Sequence, residues 1–151
     1  MIGFLHTAAG HVAAFTDLVR ALDPSVETRH AVHAELLSAA QDRGPTDGAV
    51  RAGVEQAIGA LVGGGARMVV CTCSTIGDVA ERVAIPPGVT VMRVDRPMAE
   101  RAVALGPRVA VVAAIAVTLA PTRALLQAVA ERAGRSVEIS DVPCPQAWTR
   151  F

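Results

Sequence analysis

Met68-Val69-Val70-Cys71-Thr72-Cys73-Ser74-Thr75-Ile76-Gly77-Asp78 is the stretch of the chain that decides the fold. An apolar, β-branched run ends in a cysteine, two hydroxyl residues and a glycine, and a helical pattern follows. This order is typical of a buried parallel strand that delivers a nucleophile to the carboxyl edge of a sheet, where ligands bind in open α/β folds. Because side chains alternate along a strand, we expect Cys71 and Cys73 to share a face, with Cys73 at the exit. A helix that begins at Ser74 or Thr75 would place partial positive charge beside Cys73 and favour its thiolate.

A purely structural interpretation of the same stretch stays open. Free cysteines are commonly buried and inert, and Cys73 fits that description as well. Thr75 followed by Asp78 also imitates a capping box, the ordinary start of a helix.

The composition narrows the class of protein. A chain of 151 residues with 52% hydrophobic content can fill one core. The 14 basic and 14 acidic residues cancel and are interspersed, so we expect no nucleic-acid partner. Three cysteines, two of them one residue apart, do not form a disulfide framework and favour a reduced, cytoplasmic setting. We recognise no secretory signal, and the apolar run 109–120 is too short to span a membrane.

Strand-like and helix-like segments alternate along the chain. Strands are expected at 2–5, 26–32, 68–73, 89–94, 108–114 and 137–142. Helices are expected at 12–22, 34–40, 47–62, 74–83, 96–105 and 118–133, separated by glycine and proline breakers. The alternation predicts an α/β fold, in which a parallel sheet carries helices on both faces.

The second half of the chain echoes the first. Residues 109–113, like residues 2–5, form a short apolar run followed by a helix that begins after small and hydroxyl residues. We therefore expect one α/β domain over residues 1–106, the start of a second pseudo-symmetric repeat over 107–142, and an irregular tail over 143–151.

Residues 107–142 supply two strands and one long helix, which is too little to enclose a separate core. The apolar side chains of that helix are Leu119, Leu125, Leu126 and Val129. They must be covered either by growth of the first sheet at its edge or by a partner chain. We favour the partner and predict a homodimer in which this segment pairs across a two-fold axis.

Several stretches, in this order, are similar to the aspartate/glutamate racemase superfamily and its hydantoin racemase and arylmalonate decarboxylase relatives. They are residues 2–7 (IGFLHT), 73–75 (CST), 94–100 (VDRPMAE), 108–113 (RVAVVA) and 119–123 (LAPTR). The resemblance covers residues 1 to about 140. It implies two similar α/β domains, the first of them present here and the second incomplete, and cofactor-independent exchange of a substrate's α-proton by one cysteine from each domain.

The resemblance also assigns roles to individual residues. Cys73 takes the place of the first-domain cysteine, the base, and Ser74 and Thr75 that of residues that hold the substrate carboxylate. Hydroxyls and backbone N–H groups at a helix start suit an anion. His6 and Thr7, which follow the first strand, are candidates to line the pocket, although a polar strand end that touches water is the more frequent arrangement. Thr118 is first a helix N-cap and secondarily a carboxylate contact.

The second-domain cysteine has no counterpart. Cys144 lies between Pro143 and Pro145, with no apolar strand before it, and we interpret it as an incidental thiol. Two functions therefore stay open. One is racemase or isomerase chemistry on a small carboxylate or amino acid, impaired by the missing second half, and the other is a non-catalytic α/β module that binds a small anion or self-associates.

No cofactor or metal is expected. His11, His30 and His33 lack the short paired spacing of a zinc site, and no glycine-rich nucleotide-binding pattern follows a strand.

Overall fold

The structure, a computed structural model, describes residues 1–149, in which strands and helices alternate. In chain order the elements are β1 (Ile2–His6), α1 (His11–Leu22), β2 (Thr28–Val32), α2 (Ala34–Arg43), α3 (Gly48–Gly63), β3 (Met68–Cys71), α4 (Gly77–Glu81), β4 (Thr90–Arg93), α5 (Arg96–Leu105), β5 (Arg108–Ala113), a 3-10 turn (Ala116–Thr118), α6 (Leu119–Arg132), β6 (Glu138–Pro143) and α7 (Pro145–Trp148). The chain divides into two compact units, Met1–Val94 and Asp95 onward.

The first unit is built on a four-stranded parallel sheet in the order β2-β1-β3-β4. Helices cover both faces of this sheet. A Cβ added at Gly3 would lie 3.2 Å from Leu61 of α3, whereas the ring of Phe4 lies 5.3 Å from that of Phe15 on α1. Because neighbouring residues of a strand point to opposite faces, α1 and α3 lie on opposite sides. The predicted α/β fold with a parallel sheet and helices on both faces is confirmed.

The core of the first unit lies on the α3 side of the sheet. Side chains from α2, α3 and α4 pack there on Leu5, Val69 and Cys71. The long helix α3 is well defined at its start, because the Asp47 carboxylate accepts a hydrogen bond from the backbone N–H of Ala49. By contrast, α1 has no buried residue.

The second unit has a parallel sheet of its own, in which β5 pairs with β6. Its core contains Leu125, Leu126 and Val129 of α6, together with Ala99 and Val103 of α5. Residues 107–142 therefore do enclose a core, with the help of a helix that we had assigned to the first domain. The compact unit begins at Asp95 and not at the expected boundary after residue 106, because α5 packs on α6.

That packing removes the argument from which we predicted a dimer, since α5 and β5 of the same unit cover the apolar face of α6. The tail also differs from the expectation of an irregular segment, because Pro145–Trp148 forms a short helix. The last two positions of the predicted tail, 150 and 151, lie outside the described residues. No helix among residues 1–149 is both long and apolar enough to cross a lipid bilayer.

Candidate functional site

Four of the candidate site residues lie together with Cys73 at one edge of the first sheet. Strands β1 and β3 are parallel neighbours, and Leu5 pairs with Cys71 in their register. The ladder continues one step further, because the backbone N–H of Thr72 donates to the carbonyl of Leu5 at 2.9 Å. Consequently His6 and Thr7, which end β1 or follow it, lie beside the loop 72–76 that carries Cys73, Ser74 and Thr75. The predicted position at the carboxyl edge is confirmed.

Cys73 lies closer to solvent than Cys71, but both thiols are buried. Cys73 is 8% exposed and packs with the core of the first unit, including Ile76, whereas Cys71 is fully buried. The Cys71 thiol donates a weak hydrogen bond to the carbonyl of Cys73 at 3.6 Å. Cys73 is therefore slightly more accessible than Cys71, in the order expected for a residue at the exit of the strand.

The helix after this loop begins later than expected. Helix α4 starts at Gly77 with Ile76 as its N-cap, contains five residues, and has no side-chain cap. The prediction that Ser74 or Thr75 starts the helix was wrong, and so was the capping box, since Asp78 forms a two-pronged ion pair with Arg82 at 2.9 and 3.1 Å. This five-residue helix begins four residues after Cys73 and places no significant partial charge beside the thiol, because the effect of a helix dipole fades within one turn.

A buried arginine holds the loop instead. Arg93, at the end of β4, is 1% exposed, and its Nη2 donates to the carbonyl of Ser74 at 3.1 Å. Its backbone N–H donates to the carboxylate of Glu81 at 3.2 Å. A Cβ at Gly77 would lie 2.9 Å from the Cβ of Arg93 and 3.0 Å from its Nε. Glycine at this position thus lets the guanidinium lie against the loop that carries Cys73.

On the α1 side of the sheet, a line of side-chain hydrogen bonds starts beside the same loop. We call it the histidine chain, and its members are Thr72, His6, His30 and Thr16. The three contacts in order are Nδ1 of His6 to Oγ1 of Thr72 at 2.7 Å, Nε2 of His6 to Nδ1 of His30 at 2.8 Å, and Nε2 of His30 to Oγ1 of Thr16 at 2.9 Å. At the two ends the hydroxyls lie 3.2 Å and 2.8 Å from the carbonyls of Leu5 and Val12.

His6 is a neutral, internally bonded side chain. Its ring is fully buried and nearly parallel to those of Phe4 and His30, with ring centroids 5.7 Å and 5.1 Å away. Burial lowers the pKa of His6 to about 4, with smaller contributions from His30 and His11. Burial also lowers the pKa of His30. Because both ring nitrogens of His6 already have partners inside the protein, His6 neither touches water nor offers a nitrogen to a ligand.

The remaining candidates divide between the two units. Thr7 and Thr75 are buried at the strand edge, and Ser74 is half-buried there. Thr118 belongs to the second unit, where it is the N-cap of α6 without a side-chain capping bond. Among residues 1–149, no group of three histidine, cysteine, aspartate or glutamate side chains is placed to hold a metal ion.

Two residues of the site, His30 and Arg93, were missed as functional candidates. His30 was considered only as a weak metal ligand. It lies inside β2, however, and the neighbouring strand β1 ends in a histidine, which already indicates that the two rings can interact. Arg93 interrupts the apolar run Val91–Val94, and a charged residue in a buried strand requires internal partners. Both residues can be recognised as candidates from the sequence once the order of the strands in the sheet is known.

Neither a family model nor a curated protein sequence matches the chain. Among solved structures it is similar to a glutamate racemase from Aquifex pyrophilus, with a TM-score of 0.71 and 19% sequence identity over 94% of this chain. It is also similar to an aspartate racemase from Picrophilus torridus, with a TM-score of 0.64 and 9% identity over 91% of this chain. The chain spans 55% and 61% of the length of those two proteins. Over the part that is compared, the chain has the fold of the glutamate and aspartate racemases.

Proposed function

We propose that the chain is a member of the aspartate/glutamate racemase superfamily in which Cys73 acts as a cofactor-independent base on a small carboxylate or amino acid. The single observation that carries this proposal is the position of Cys73. Cys73, in the motif Cys73-Ser74-Thr75, lies at the carboxyl edge of a parallel sheet. The chain that contains this sheet has the fold of two amino-acid racemases. In open α/β sheets that edge is where ligands bind.

In the proposed step, the Cys73 thiolate removes the α-proton of the substrate and becomes a thiol. The electron pair of the broken C–H bond moves into the carboxylate to form an enediolate. The hydroxyls of Ser74, Thr75 and Thr7 are the proposed partners of that carboxylate. Return of a proton from the same sulfur restores the original stereochemistry, so one thiol alone gives exchange of the α-proton without net inversion.

The roles of the neighbouring residues differ from the first expectation. We do not propose His6 as a substrate contact, because its two ring nitrogens bind Thr72 and His30. Arg93 is proposed to keep the loop 72–76 in place through its hydrogen bond to Ser74. It would thereby fix the direction in which the two hydroxyls of the motif point.

A non-catalytic function is the second candidate, and a specific observation favours it. Cys73 packs with the hydrophobic core of the first unit and is 8% exposed, which is also how an inert structural thiol is placed. In that case the chain would be an α/β module that binds a small anion at the same hydroxyls or associates with itself.

The two candidates are separated by α-proton exchange in deuterated water. We expect loss of the α-proton NMR signal from at least one member of a panel of small amino acids and 2-substituted carboxylic acids. The variant Cys73→Ser should abolish the exchange, while the control Cys144→Ser should retain it. Absence of exchange across the panel, with wild type and Cys73→Ser indistinguishable, would favour the non-catalytic module, whereas equal exchange by both proteins would show that Cys73 is not the base.

We further propose a homodimer in a reduced, cytoplasmic setting. The segment that carries α6 is covered within its own unit, so the proposed contact now lies on the two-stranded sheet. Val112 of β5 and Val142 of β6 are register partners there and remain 65% and 39% exposed. A patch of paired valines on a sheet is a surface that self-association would cover.

A further inference from the structure

Helix α1 is attached to the sheet by contacts that lie outside the hydrophobic core. Among the described residues, neither the core of the first unit nor the apolar side chains packed against it include a residue of α1. Instead, Phe15 of α1 meets the rings of Phe4 and His6 at 5.3 Å and 5.7 Å. Thr16 of α1 adds the 2.9 Å hydrogen bond to Nε2 of His30. The helix is therefore attached through a layer of rings, and two of these rings are imidazoles.

The hydrogen bond between the two imidazoles requires that at least one of them is uncharged. Nε2 of His6 and Nδ1 of His30 lie 2.8 Å apart, so a single hydrogen lies between them. One nitrogen donates that hydrogen and the other accepts it, which a protonated ring cannot do. If both rings were protonated, two N–H groups would face each other at this distance. Full protonation therefore forces the rings apart, and α1 is bonded to one of them.

The charged groups of α1 do not balance a positive charge on the buried rings. His11 of α1 meets His6 edge-on at 5.9 Å and is itself a base. The other charged side chains of this helix, Asp17 and Arg20, are 75% and 69% exposed and lie 3.7 Å from each other. Among the described side chains of α1, the buried rings therefore face a further base and no carboxylate.

The neighbouring strands add no compensating charge either. On β2, Arg29 lies on the opposite face of the sheet, and Glu27, which precedes this strand, is exposed at a surface cavity. On β3, the side chain bonded to the His6 ring is the uncharged hydroxyl of Thr72. The pKa of His6 is accordingly low, about 4, first because of burial and then because the charges near it are those of two other histidines.

We propose that His6 and His30, together with His11, form a pH-sensitive switch that releases α1 from the sheet in acid while the α3 side of the unit stays folded. At neutral pH the buried rings are uncharged and the layer of rings is intact. In acid the released form binds protons that the closed form cannot hold, so the equilibrium shifts toward release. Because α1 lies outside the core, its release leaves the packing of α2, α3 and α4 on the sheet in place.

The release of α1 would reach the candidate site through the backbone. His6 directly precedes Thr7, and its ring binds Thr72, which directly precedes Cys73. Movement of His6 therefore removes a support from both segments that meet at the sheet edge, so acid would reversibly loosen the site. This consequence rests on the proposed function, whereas the release of α1 does not.

Native-state hydrogen exchange by NMR at pH 7.5 and pH 5 measures the release, as protection factors corrected for the intrinsic exchange rate. We expect the amides of α1 to be less protected than those of α3 at both pH values. From pH 7.5 to pH 5, the protection factors of α1 should fall by about 30-fold through His6 alone. This ratio follows from a ring pKa of 6.5 in the released form and about 4 in the closed form.

Two matched variants separate the switch from a general effect of acid. His6→Gln should remove most of the fall in α1 protection, because glutamine does not titrate. His33→Gln removes a histidine that pairs with Glu35 at the surface and should keep the fall.

Three results would refute the switch. The amides of α1 and α3 could be equally protected at pH 5, in which case the helix opens only with the whole unit. The protection of α1 in wild type could be the same at both pH values, or His6→Gln could show the wild-type fall. If His6→Gln does not fold, the two wild-type comparisons still decide. An inert Cys73 in the α-proton exchange assay would remove the proposed function and leave the release of α1 in place.

Discussion

Acid should destabilise this protein through His6, and the size of the effect follows from the structure. The pKa of His6 is lowered from 6.5 to about 4 in the folded protein. Between those two values the unfolded chain binds a proton that the folded chain does not, so stability is lost as the pH falls. Integrated from pH 7.5 to pH 5, the loss is about 2 kcal/mol, and it approaches about 3 kcal/mol near pH 4. This is a large share of the 5–15 kcal/mol by which domains are typically stable.

The measurement is urea unfolding followed by circular dichroism at pH 7.5 and pH 5. Between pH 7.5 and pH 5, the free energy of unfolding of the variant His6→Gln should fall by about 2 kcal/mol less than that of wild type, because the glutamine side chain does not titrate. The matched control is His33→Gln, which removes a histidine that pairs with Glu35 at the surface. That variant should keep the His6-dependent part of the loss.

An equal decrease in the free energy of unfolding between pH 7.5 and pH 5 in wild type and His6→Gln would refute this reasoning. If the variant does not fold, direct NMR titration of the His6 ring in wild type decides the matter. A midpoint near 4 is expected, and a midpoint near 6.5 would show that the ring reaches water.

Three further predictions concern other parts of the chain. Iodoacetamide should modify Cys73 before Cys71, because Cys71 is fully enclosed, and peptide mapping that finds the reverse order would contradict the site. Gly77→Ala should destabilise the fold by about 1–3 kcal/mol by displacing the buried arginine, whereas Gly59→Ala, with open space at its Cβ on α3, should stabilise by about 0.5–1 kcal/mol. The midpoints of denaturant-induced unfolding measure the change in stability for both glycine substitutions. Val112→Lys should convert the proposed dimer to a monomer in light scattering, and a monomeric wild type would exclude the dimer.

The sequence predicted the alternation of strands and helices and their approximate positions, because hydrophobic periodicity records which face each segment buries. The start of α3 was also predictable, since Thr46-Asp47 carries a capping signal that the structure uses through Asp47. The position of Cys73 at the sheet edge followed from the same reasoning. These features depend on local patterns alone.

The features that could not be predicted depend on contacts between distant segments. The loop before the late-starting helix α4 is held by Arg93, which donates to the Ser74 carbonyl and lies against Gly77. Nothing within residues 68–78 indicates an arginine from another strand. Likewise, α5 belongs to the second unit because it packs on α6. The similarity between the two halves of the sequence could not predict that contact. The histidine chain requires β1, β2 and β3 to be neighbours in a known register.

The unequal size of the two cores has a consequence for how the molecule opens. Among the described residues, fifteen buried side chains form the core of the first unit and seven form that of the second. Local opening costs less free energy where fewer apolar contacts are lost, so amides of α5 and α6 should exchange with solvent before those of α3. Proteases act on such partly opened states, which makes the second unit the expected point of attack during turnover. Opening would also uncover β5, a strand that carries three valines, as a starting point for aggregation.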